Sequence, residues 1–504
     1  MTQQAPHPSE GPLSTETDWS FQYVDGEWVE QGDRDGVDVS DPSTREQIAT
    51  VPAGTPEDVD AAYEAAESAQ PGWAETPPHR RASVIRSFID ALDGQFGDLQ
   101  ALLTTESGSC ATKAKFEVMT AKGVAQEAAA FPTRLSGEYK DSLIPGKDNQ
   151  VKRVPAGVVT VITPWNFPLS LTARAVLPAL ALGNAVVLKP APNTPVSGGL
   201  AFARLLEDAG LDPGLCNVVT GRDEDIGDAV SGHSDADVVA FTGSTEVGKR
   251  VGKRAVDSLA FPALELGGNA PFVVLDDADL DAAVDAAVYG TVYHSGQACI
   301  SINRHLVHES RYDEYVDRLV DRIEHLSVGS AHDDETVVGP LVDERQRDSV
   351  LGYVDETVEA GATLETGGET VDLDGVDDSL VVAPTVLSDA SNDMAAACNE
   401  HFGPVAPVIP FAADDEAIEL ANDTEYGLAA AVFGGDVGRA ETVADAVDAG
   451  MVHVNDQPIN EEPHVPFGGT KASGIGRYNG EAAVREFTES KGVSVQRRPR
   501  RYPF

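Results

Sequence analysis

Cys299 lies in a run of small residues, SGQACI at 295–300, that is typical of a turn. In such a turn a thiol can reach a substrate, and the N–H of the same residue can face a developing oxyanion. A lone cysteine is more often a small buried residue than a nucleophile. Chemistry at Cys299 must therefore be argued from the motifs that accompany it.

Glu265 is the second candidate, because it lies between Leu264 and Leu266 and precedes two glycines. A lone glutamate is usually a solvated surface charge. Apolar neighbours on both sides predict instead a buried carboxyl group with a raised pKa, which suits a general base.

A glycine-containing turn, TGSTEVG at 242–248, follows the apolar run 238–241 and opens a predicted helix. Its free N–H groups and the positive end of the helix dipole suit a pyrophosphate. The turn imitates a P-loop, since Lys249 follows Gly248, but residue 250 is Arg where magnesium binding needs Ser or Thr. A nucleotide hydrolase is therefore the weaker interpretation.

The elements that must position these residues alternate along the chain. Strand-like runs at 158–162, 185–188, 216–219 and 238–241 are separated by helix-like stretches at 171–182 and 196–209. Strands at 272–275 and 305–307 and helices at 279–293, 311–326 and 343–360 form a second block. The alternation predicts an α/β fold with parallel βαβ units and a dinucleotide site at the carboxyl ends of the strands.

The charge balance is strongly acidic, with 83 acidic and 36 basic residues and a net charge of -47. The acidic residues are spread over the chain, which indicates a solvated surface suited to a salty cytoplasm, where salt screens self-repulsion. Such a surface repels nucleic acid and anionic membranes. The chain should bind neither.

Targeting, membrane and metal signals are missing from the sequence. Residues 1–18 carry no apolar signal sequence and predict a disordered tail in a cytoplasmic protein. The apolar region 154–189 is interrupted by prolines and by Arg174, so it predicts no membrane span. The other cysteines, Cys110, Cys216 and Cys398, lie far apart without C-x-x-C spacing, so we expect no disulfide framework and no metal site.

Together with LELGG at 264–268 and PWNFP at 164–168, the run around Cys299 resembles the aldehyde dehydrogenase superfamily. The resemblance continues through KP at 189–190, the turn at 241–248, EHFGP at 400–404 and PFGG at 466–469. The motifs follow the family's order over roughly residues 20–495, so chance agreement is negligible.

The resemblance implies a reaction and three catalytic residues. Cys299 attacks an aldehyde, and the side-chain amide of Asn166 and the N–H of Cys299 hold the thiohemiacetal oxyanion. Hydride loss to NAD(P) leaves a thioester, which water activated by Glu265 hydrolyses to the acid. Relatives that transfer the acyl group to coenzyme A lack Glu at this position, so Glu265 argues for hydrolysis.

The resemblance also assigns residues to the cofactor. Lys189 matches a contact to the adenine ribose, Ser244 a pyrophosphate contact, and Glu400 a contact to the nicotinamide ribose. The full assigned set is Thr163, Trp165, Lys189, Pro192, Gly243, Ser244, Gly248, Leu266, Glu400 and Phe402. Taken singly, these would be read as surface charges, a helix cap and core aromatics.

Three positions depart from the family pattern. Pro192 replaces a Glu that in many NAD-preferring members holds the ribose hydroxyls, which predicts dual use of NAD and NADP or a preference for NADP. Tyr478 replaces a Glu that relays protons, so proton exit should differ. Asn269 replaces a Lys, and we assign it no function.

The substrate is a small-molecule aldehyde, and local runs at 192–199, 304–309, 454–457 and 462–467 resemble the benzaldehyde and vanillin dehydrogenase branch. Phe167 and Phe467 offer faces to an aromatic ring, and Arg174, two helical turns past Phe167, offers a contact to a substrate oxygen. The competing interpretations are core packing for both rings, a salt bridge for Arg174, and an aliphatic or sugar-derived semialdehyde as substrate.

The resemblance divides the chain into a Rossmann-type cofactor domain, an α/β catalytic domain and a small oligomerisation hairpin. The expected bounds are 1–18 for the tail, 19–133 and 154–265 for the cofactor domain (possibly with 470–484), and 266–469 for the catalytic domain. Segments 134–153 and 485–504 are expected to pair as oligomerisation elements of a homodimer or homotetramer.

Overall fold

The structure, a computed structural model, describes residues 5–504 as a set of four β-sheets surrounded by helices. The strands are β1 (Phe21–Val24), β2 (Glu27–Glu30), β3 (Gly36–Ser40), β4 (Gln47–Pro52), β5 (Glu138–Asp141), β6 (Lys147–Pro155), β7 (Val158–Ile162), β8 (Ala185–Lys189), β9 (Cys216–Val218), β10 (Val238–Thr242), β11 (Phe261–Glu265), β12 (Ala270–Val274), β13 (Ile302–His308), β14 (Thr363–Thr366), β15 (Thr385–Ser388), β16 (Val405–Phe411), β17 (Ala429–Phe433), β18 (Met451–Val454), β19 (Gly474–Ile475) and β20 (Thr488–Gln496).

The helices connect these strands and cover their faces. They are α1 (Pro56–Glu75), α2 (Pro78–Gly94), α3 (Phe96–Ser107), α4 (Ala111–Ala128), α5 (Phe131–Arg134), α6 (Pro168–Ala181), α7 (Ala201–Asp208), α8 (Asp223–Ser231), α9 (Thr245–Asp257), α10 (Leu280–Val292), α11 (Tyr312–Glu324), α12 (Glu344–Glu359), α13 (Ala395–Cys398), α14 (Asp414–Asn422), α15 (Val437–Ala446) and α16 (Gly480–Glu486). A π-helical turn, Val196–Leu200, precedes α7. It occupies the first part of the helix predicted at 196–209.

The first sheet has the order β19-β11-β10-β7-β8-β9-β1-β2, and β7 to β11 run parallel. Its central strands are buried on both faces, as their continuous apolar sequences predicted. Ile162 pairs with Lys189 and Thr242 pairs with Glu265. The carboxyl ends of these strands therefore lie along one edge, and the prediction of an α/β fold with parallel strands is confirmed.

The second sheet has the order β14-β15-β16-β13-β12-β17-β18 and is parallel except for β14. Separate apolar cores cover its two faces, one with α10 and α11 and the other with α14 and α15. This sheet forms the predicted second α/β block.

The hairpin β5–β6 pairs with β20 in a third sheet, in which Thr488 lies opposite Pro155 and Gln496 opposite Lys147. The strand β20 lies within the segment 485–504 that was expected to pair with this hairpin. The short strand β19 joins the first sheet beside β11. The domain bounds remain a prediction.

The predicted disorder of the tail is wrong for residues 5–18, while residues 1–4 lie outside the described part of the chain. Leu13 is fully buried and Trp19 is nearly so, and both belong to the core of the first sheet. The Trp19 Nε1–H donates to the Ser14 carbonyl at 2.9 Å. Burial of these two apolar side chains fixes the segment to the core, although its polar composition alone indicated disorder.

Among residues 5–504, none of the helices combines the length and the apolar character that a bilayer crossing requires.

Candidate active site

A cavity opens between the first and second sheets, with Cys299 in its wall. Eleven predicted site residues line it: Trp165, Asn166, Phe167, Arg174, Gly243, Ser244, Leu266, Cys299, Glu400, Phe402 and Phe467. The other predicted residues lie outside this wall: Thr163, Lys189, Pro192, Gly248 and Glu265. Residues from motifs far apart in sequence therefore converge on the thiol.

The turn that presents Cys299 has an unusual backbone. His294, Ser295 and Gly296 all have positive φ, and a Cβ at Gly296 would lie 2.1 Å from the Gly403 carbonyl oxygen. Only glycine fits so close an approach. Burial raises the pKa of the Cys299 thiol, Glu400 raises it further, and Arg174 acts in the opposite direction. On balance the surroundings of Cys299 therefore disfavour the thiolate.

Asn166 is buried in the loop between β7 and α6. Its Nδ2 donates one hydrogen bond to the Gln297 carbonyl at 2.9 Å, which fixes the amide beside the Cys299 turn. An amide nitrogen carries two N–H donors. The second is available to an oxygen atom on a substrate bound at Cys299.

Glu265 ends β11 and is 3% exposed. Neither of its carboxylate oxygens has a hydrogen-bond partner among residues 5–504. A Cβ at Gly468 would lie 2.5 Å from Oε1, so the carboxyl group sits just behind the cavity wall that Phe467 forms. Burial raises the pKa of Glu265 well above its usual value, and Arg174 and Arg477 partly oppose the shift.

The glycine turn before α9 forms a second part of the wall. Ser244 caps the helix and its Oγ accepts from the Val247 N–H at 3.4 Å. A Cβ at Gly248 would lie 2.2 Å from Leu266 Cδ2, so the absence of a side chain lets α9 pack against the chain after β11. Arg250 pairs with Asp228 at 2.5 Å, which leaves no magnesium ligand at this position.

Glu400 lies opposite this turn. Its Oε1 accepts from the Gly268 N–H at 2.9 Å, and burial raises its pKa to about 7. Phe402, in a left-handed conformation with φ of 52°, packs edge-on against Trp165 with 5.6 Å between ring centroids. An anion-binding helix end, a carboxyl group and two rings in one wall fit a dinucleotide with a flat ring system.

Lys189 ends β8 and its side chain is 1% exposed. Its ammonium group forms an ion pair with Asp223, the first residue of α8. Sequence reasoning did not single out Asp223. The signal was the run of three acidic residues at 223–225, which is typical of a helix N-terminus.

Aromatic side chains form a further part of the cavity wall. The ring of Tyr293 stacks with Phe167 at 6.2 Å and with Tyr289 at 5.1 Å between centroids. Phe116 also lines the cavity. Sequence reasoning missed both tyrosines, although their spacing of four residues at the end of a helix before Cys299 was a usable signal.

Arg174 is buried, forms an ion pair with Glu461 and lies over the ring of Phe467. Its Nε has no hydrogen-bond partner among the described residues. The expectation that Phe467 offers a free face to a substrate ring is therefore wrong for the face that the guanidinium covers. The ring is instead part of the support for Arg174.

A buried charge pair supports the part of the cavity wall that contains Phe167. Lys113 Nζ lies 2.5 Å from Glu117 Oε2 and 4.6 Å from the centroid of the Phe167 ring. Glu117 Oε1 accepts from the N–H groups of Leu169 and Ser170, at the start of α6. This pair fixes Phe167 and the first turn of α6, and the sequence analysis did not identify it.

The remaining departures from the family pattern have structural explanations. Tyr478 is buried behind the cavity, where its backbone exchanges two 2.9 Å hydrogen bonds with Phe467. Asn269 Nδ2 donates to the carbonyls of Ala397 and Asn399, which holds the segment leading to Glu400.

Comparison with known proteins adds independent evidence. The chain matches the aldehyde dehydrogenase family over residues 28–493. It is 44% identical to a vanillin dehydrogenase of Corynebacterium glutamicum, over 95% of this chain and 98% of that protein. It is 40% identical to the benzaldehyde dehydrogenase YfmT of Bacillus subtilis, over 96% and 98% of the two chains. A crystal structure of a Staphylococcus aureus betaine aldehyde dehydrogenase in complex with NAD⁺ superposes with a TM-score of 0.94 at 36% identity, covering 96% of each chain.

Proposed function

Because the chain belongs to the aldehyde dehydrogenase family, we propose that it oxidises aromatic aldehydes to carboxylic acids with NAD(P), through covalent adducts on Cys299. The observation that carries the proposal is one cavity whose wall contains Cys299, the turn before α9 and stacked aromatic side chains. One side of the thiol suits a dinucleotide and the other suits a ring.

The first chemical step forms a bond between Cys299 Sγ and the aldehyde carbon. The thiol loses its proton to solvent, and the positive charge of Arg174 favours the thiolate that attacks. The carbonyl electron pair moves to oxygen, and Asn166 Nδ2 and the Cys299 N–H donate to that oxyanion. A donor of this kind is typically worth about 3 to 4 kcal/mol in the transition state.

A bound nicotinamide would supply the acceptor for the hydride that the adduct must lose, since an aldehyde offers no leaving group. Ser244 and the first turn of α9 would hold its pyrophosphate, and Glu400 and Lys189 would hold its two riboses. Gly243, Gly248 and Leu266 would form the surface against which the cofactor lies, and Thr163, Trp165, Pro192 and Phe402 would border it.

The second chemical step releases the acid. Glu265 takes a proton from a water molecule, the hydroxide attacks the Cys299 thioester, and the C–S bond breaks to return the thiolate. The raised pKa of Glu265 supports this role, because a carboxylate of ordinary pKa would be a weak base near neutral pH. Its carboxyl group lies against Gly468, the residue that follows Phe467 of the cavity wall.

An aromatic substrate is supported by the wall and by the relatives. Phe167, Tyr289 and Tyr293 provide stacked rings beside the thiol, and stacking adds roughly 0.5 to 1.5 kcal/mol beyond burial. Arg174, with its free Nε, provides a donor for an oxygen substituent on the ring. The relatives compared above are named for vanillin and benzaldehyde. The alternative is the same chemistry on an aliphatic or sugar-derived semialdehyde.

The test is NAD(P)H formation at 340 nm in high salt with benzaldehyde, vanillin, acetaldehyde and a semialdehyde, for wild type and Cys299→Ala. We expect turnover to be fastest with the ring aldehydes and to be lost in Cys299→Ala. Turnover confined to the aliphatic substrates would contradict the aromatic assignment. Full activity of Cys299→Ala would contradict the mechanism.

We further propose that the protein is cytoplasmic and forms a homodimer or homotetramer. Each chain is divided into domains at the bounds given in the sequence analysis. The hairpin β5–β6 supports this assembly, because it carries the largely exposed apolar side chains Tyr139 and Leu143. Light scattering after gel filtration, for wild type and Leu143→Lys, measures the mass directly. A monomeric wild type would contradict the proposal.

A further inference from the structure

Asp223 and Lys189 form a pair whose two members differ sharply in exposure. The side chain of Lys189 is 1% exposed, whereas that of Asp223 is 72% exposed. The carboxylate therefore stands at the surface, above an ammonium group that the fold buries. A ligand that approaches the ammonium must pass or contact this carboxylate.

The pair lies on the edge of the first sheet that also carries the proposed cofactor site. β8 neighbours β7, which in turn neighbours β10, the strand that leads into the Ser244 turn. The Thr163 N–H donates to the Lys189 carbonyl at 3.2 Å, so the end of β8 directly continues the end of β7. Adjacent strands are about 4.8 Å apart, which places Lys189 roughly two strand spacings from the α9 turn.

We propose that Asp223 is the residue that selects NAD over NADP, an inference that rests on the proposed function and on Lys189 as its ribose contact. The two cofactors differ by a phosphate on the adenine ribose, and a phosphate monoester carries a charge of about -1.5 to -2. That phosphate would meet the Asp223 carboxylate and compete with it for the Lys189 ammonium group. A ribose hydroxyl can instead donate to the carboxylate.

Because residue 192 provides no carboxylate, this role falls to Asp223. Residue 192 is Pro, which has no charge and no side-chain acceptor. The carboxylate that Pro192 does not provide comes from the start of α8, on a separate segment of the chain. Pro192 alone predicts dual use of the two cofactors or a preference for NADP. In the wild type, Asp223 opposes this by disfavouring the binding of NADP.

The test measures binding rather than turnover. The fluorescence of bound NADH and NADPH gives both dissociation constants for wild type, Asp223→Asn and a control, Asp225→Asn. Asp225 lies in the same first turn of α8 and contacts Arg222 at 3.7 Å instead of Lys189. We expect the ratio of the NADPH to the NADH dissociation constant to fall at least tenfold in Asp223→Asn and to stay within twofold in Asp225→Asn.

Four other results would contradict either the role of Asp223 or the proposed function. An unchanged ratio in Asp223→Asn, with wild type binding NADH, would overturn the role of Asp223 and leave the proposed function intact. An equal fall in Asp225→Asn would assign the effect to the general acidity of the helix end and would also overturn it. If Lys189→Met bound both cofactors as wild type does, the Lys189–Asp223 pair would not belong to the cofactor site. A wild type that binds neither cofactor would contradict the proposed function itself.

Discussion

The guanidinium carbon of Arg174 lies 4.2 Å from the centroid of the Phe467 ring, and the same guanidinium pairs with Glu461. All three side chains line the cavity that contains Cys299. The charge of Arg174 lowers the pKa of the Cys299 thiol and of Glu265 against the effect of burial. One buried cation thus acts on both the nucleophile and the base.

Replacing Arg174 by Met should move the acid limb of the pH–rate profile to higher pH. Without the cation the pKa of Glu265 rises further, so a higher pH is needed to keep it unprotonated. At a pH below the pKa of Glu265, a rise of one pKa unit would lower kcat roughly tenfold. The profile of Arg174→Lys, which retains the charge, should remain close to wild type. Superimposable profiles for wild type and Arg174→Met would contradict the electrostatic role.

Glu265→Gln should stop the reaction after the first turnover. The thioester still forms, but water is no longer activated, so steady-state kcat should fall at least about 10²-fold. Stopped-flow absorbance should therefore show a burst of about one NAD(P)H per site and then a slow phase. If the burst itself were lost, Glu265 would have to act before the hydride is transferred.

Asn166→Ala should lower kcat by about 10² to 10³-fold and change KM little, because the amide acts on charge that develops in the transition state. Asn166→Asp should be at least as slow, since it retains the shape of the side chain and replaces the donor with a negative charge. Steady-state kinetics of both variants, with circular dichroism as a check on folding, test this role. A kcat within fivefold of wild type in Asn166→Ala would rule it out.

Tyr293→Leu should weaken the preference for ring aldehydes. Tyr293 stacks on both Phe167 and Tyr289, and loss of about 0.5 to 1.5 kcal/mol corresponds to a two- to twelvefold fall in the benzaldehyde to acetaldehyde ratio of kcat/KM. The control is Tyr139→Leu, at an exposed position on β5. Equal ratios in wild type and Tyr293→Leu would show that the stacked wall does not select the substrate.

The thermal midpoint should rise with salt concentration. A net charge of -47 repels itself in the folded state, and the screening length falls from about 10 Å at 0.1 M salt to 3 Å at 1 M. We expect the Tm to increase by more than about 10 °C between 0.1 M and 2 M KCl. Sucrose of equal osmolality is the control, because it changes water activity without screening charge. A Tm independent of KCl would contradict the salt adaptation.

The sequence by itself predicted the central parallel strands, the Cys299 turn, the buried Glu265 and the α9 turn. These features depend on residues that are neighbours in the chain. Apolar runs predict buried strands, and glycines mark backbone that approaches another segment closely. The family resemblance added Asn166, Glu400 and Lys189, because each lies within a short motif.

Only the tertiary structure decided which charges meet. Arg174 pairs with Glu461, Lys189 with Asp223, and Glu117 with the first N–H groups of α6. The structure also buried Leu13 in a segment expected to be disordered. The partners in these contacts come from separate segments that the fold brings together. No local periodicity encodes such a contact, because its free energy depends on the burial and charge that the surrounding elements create.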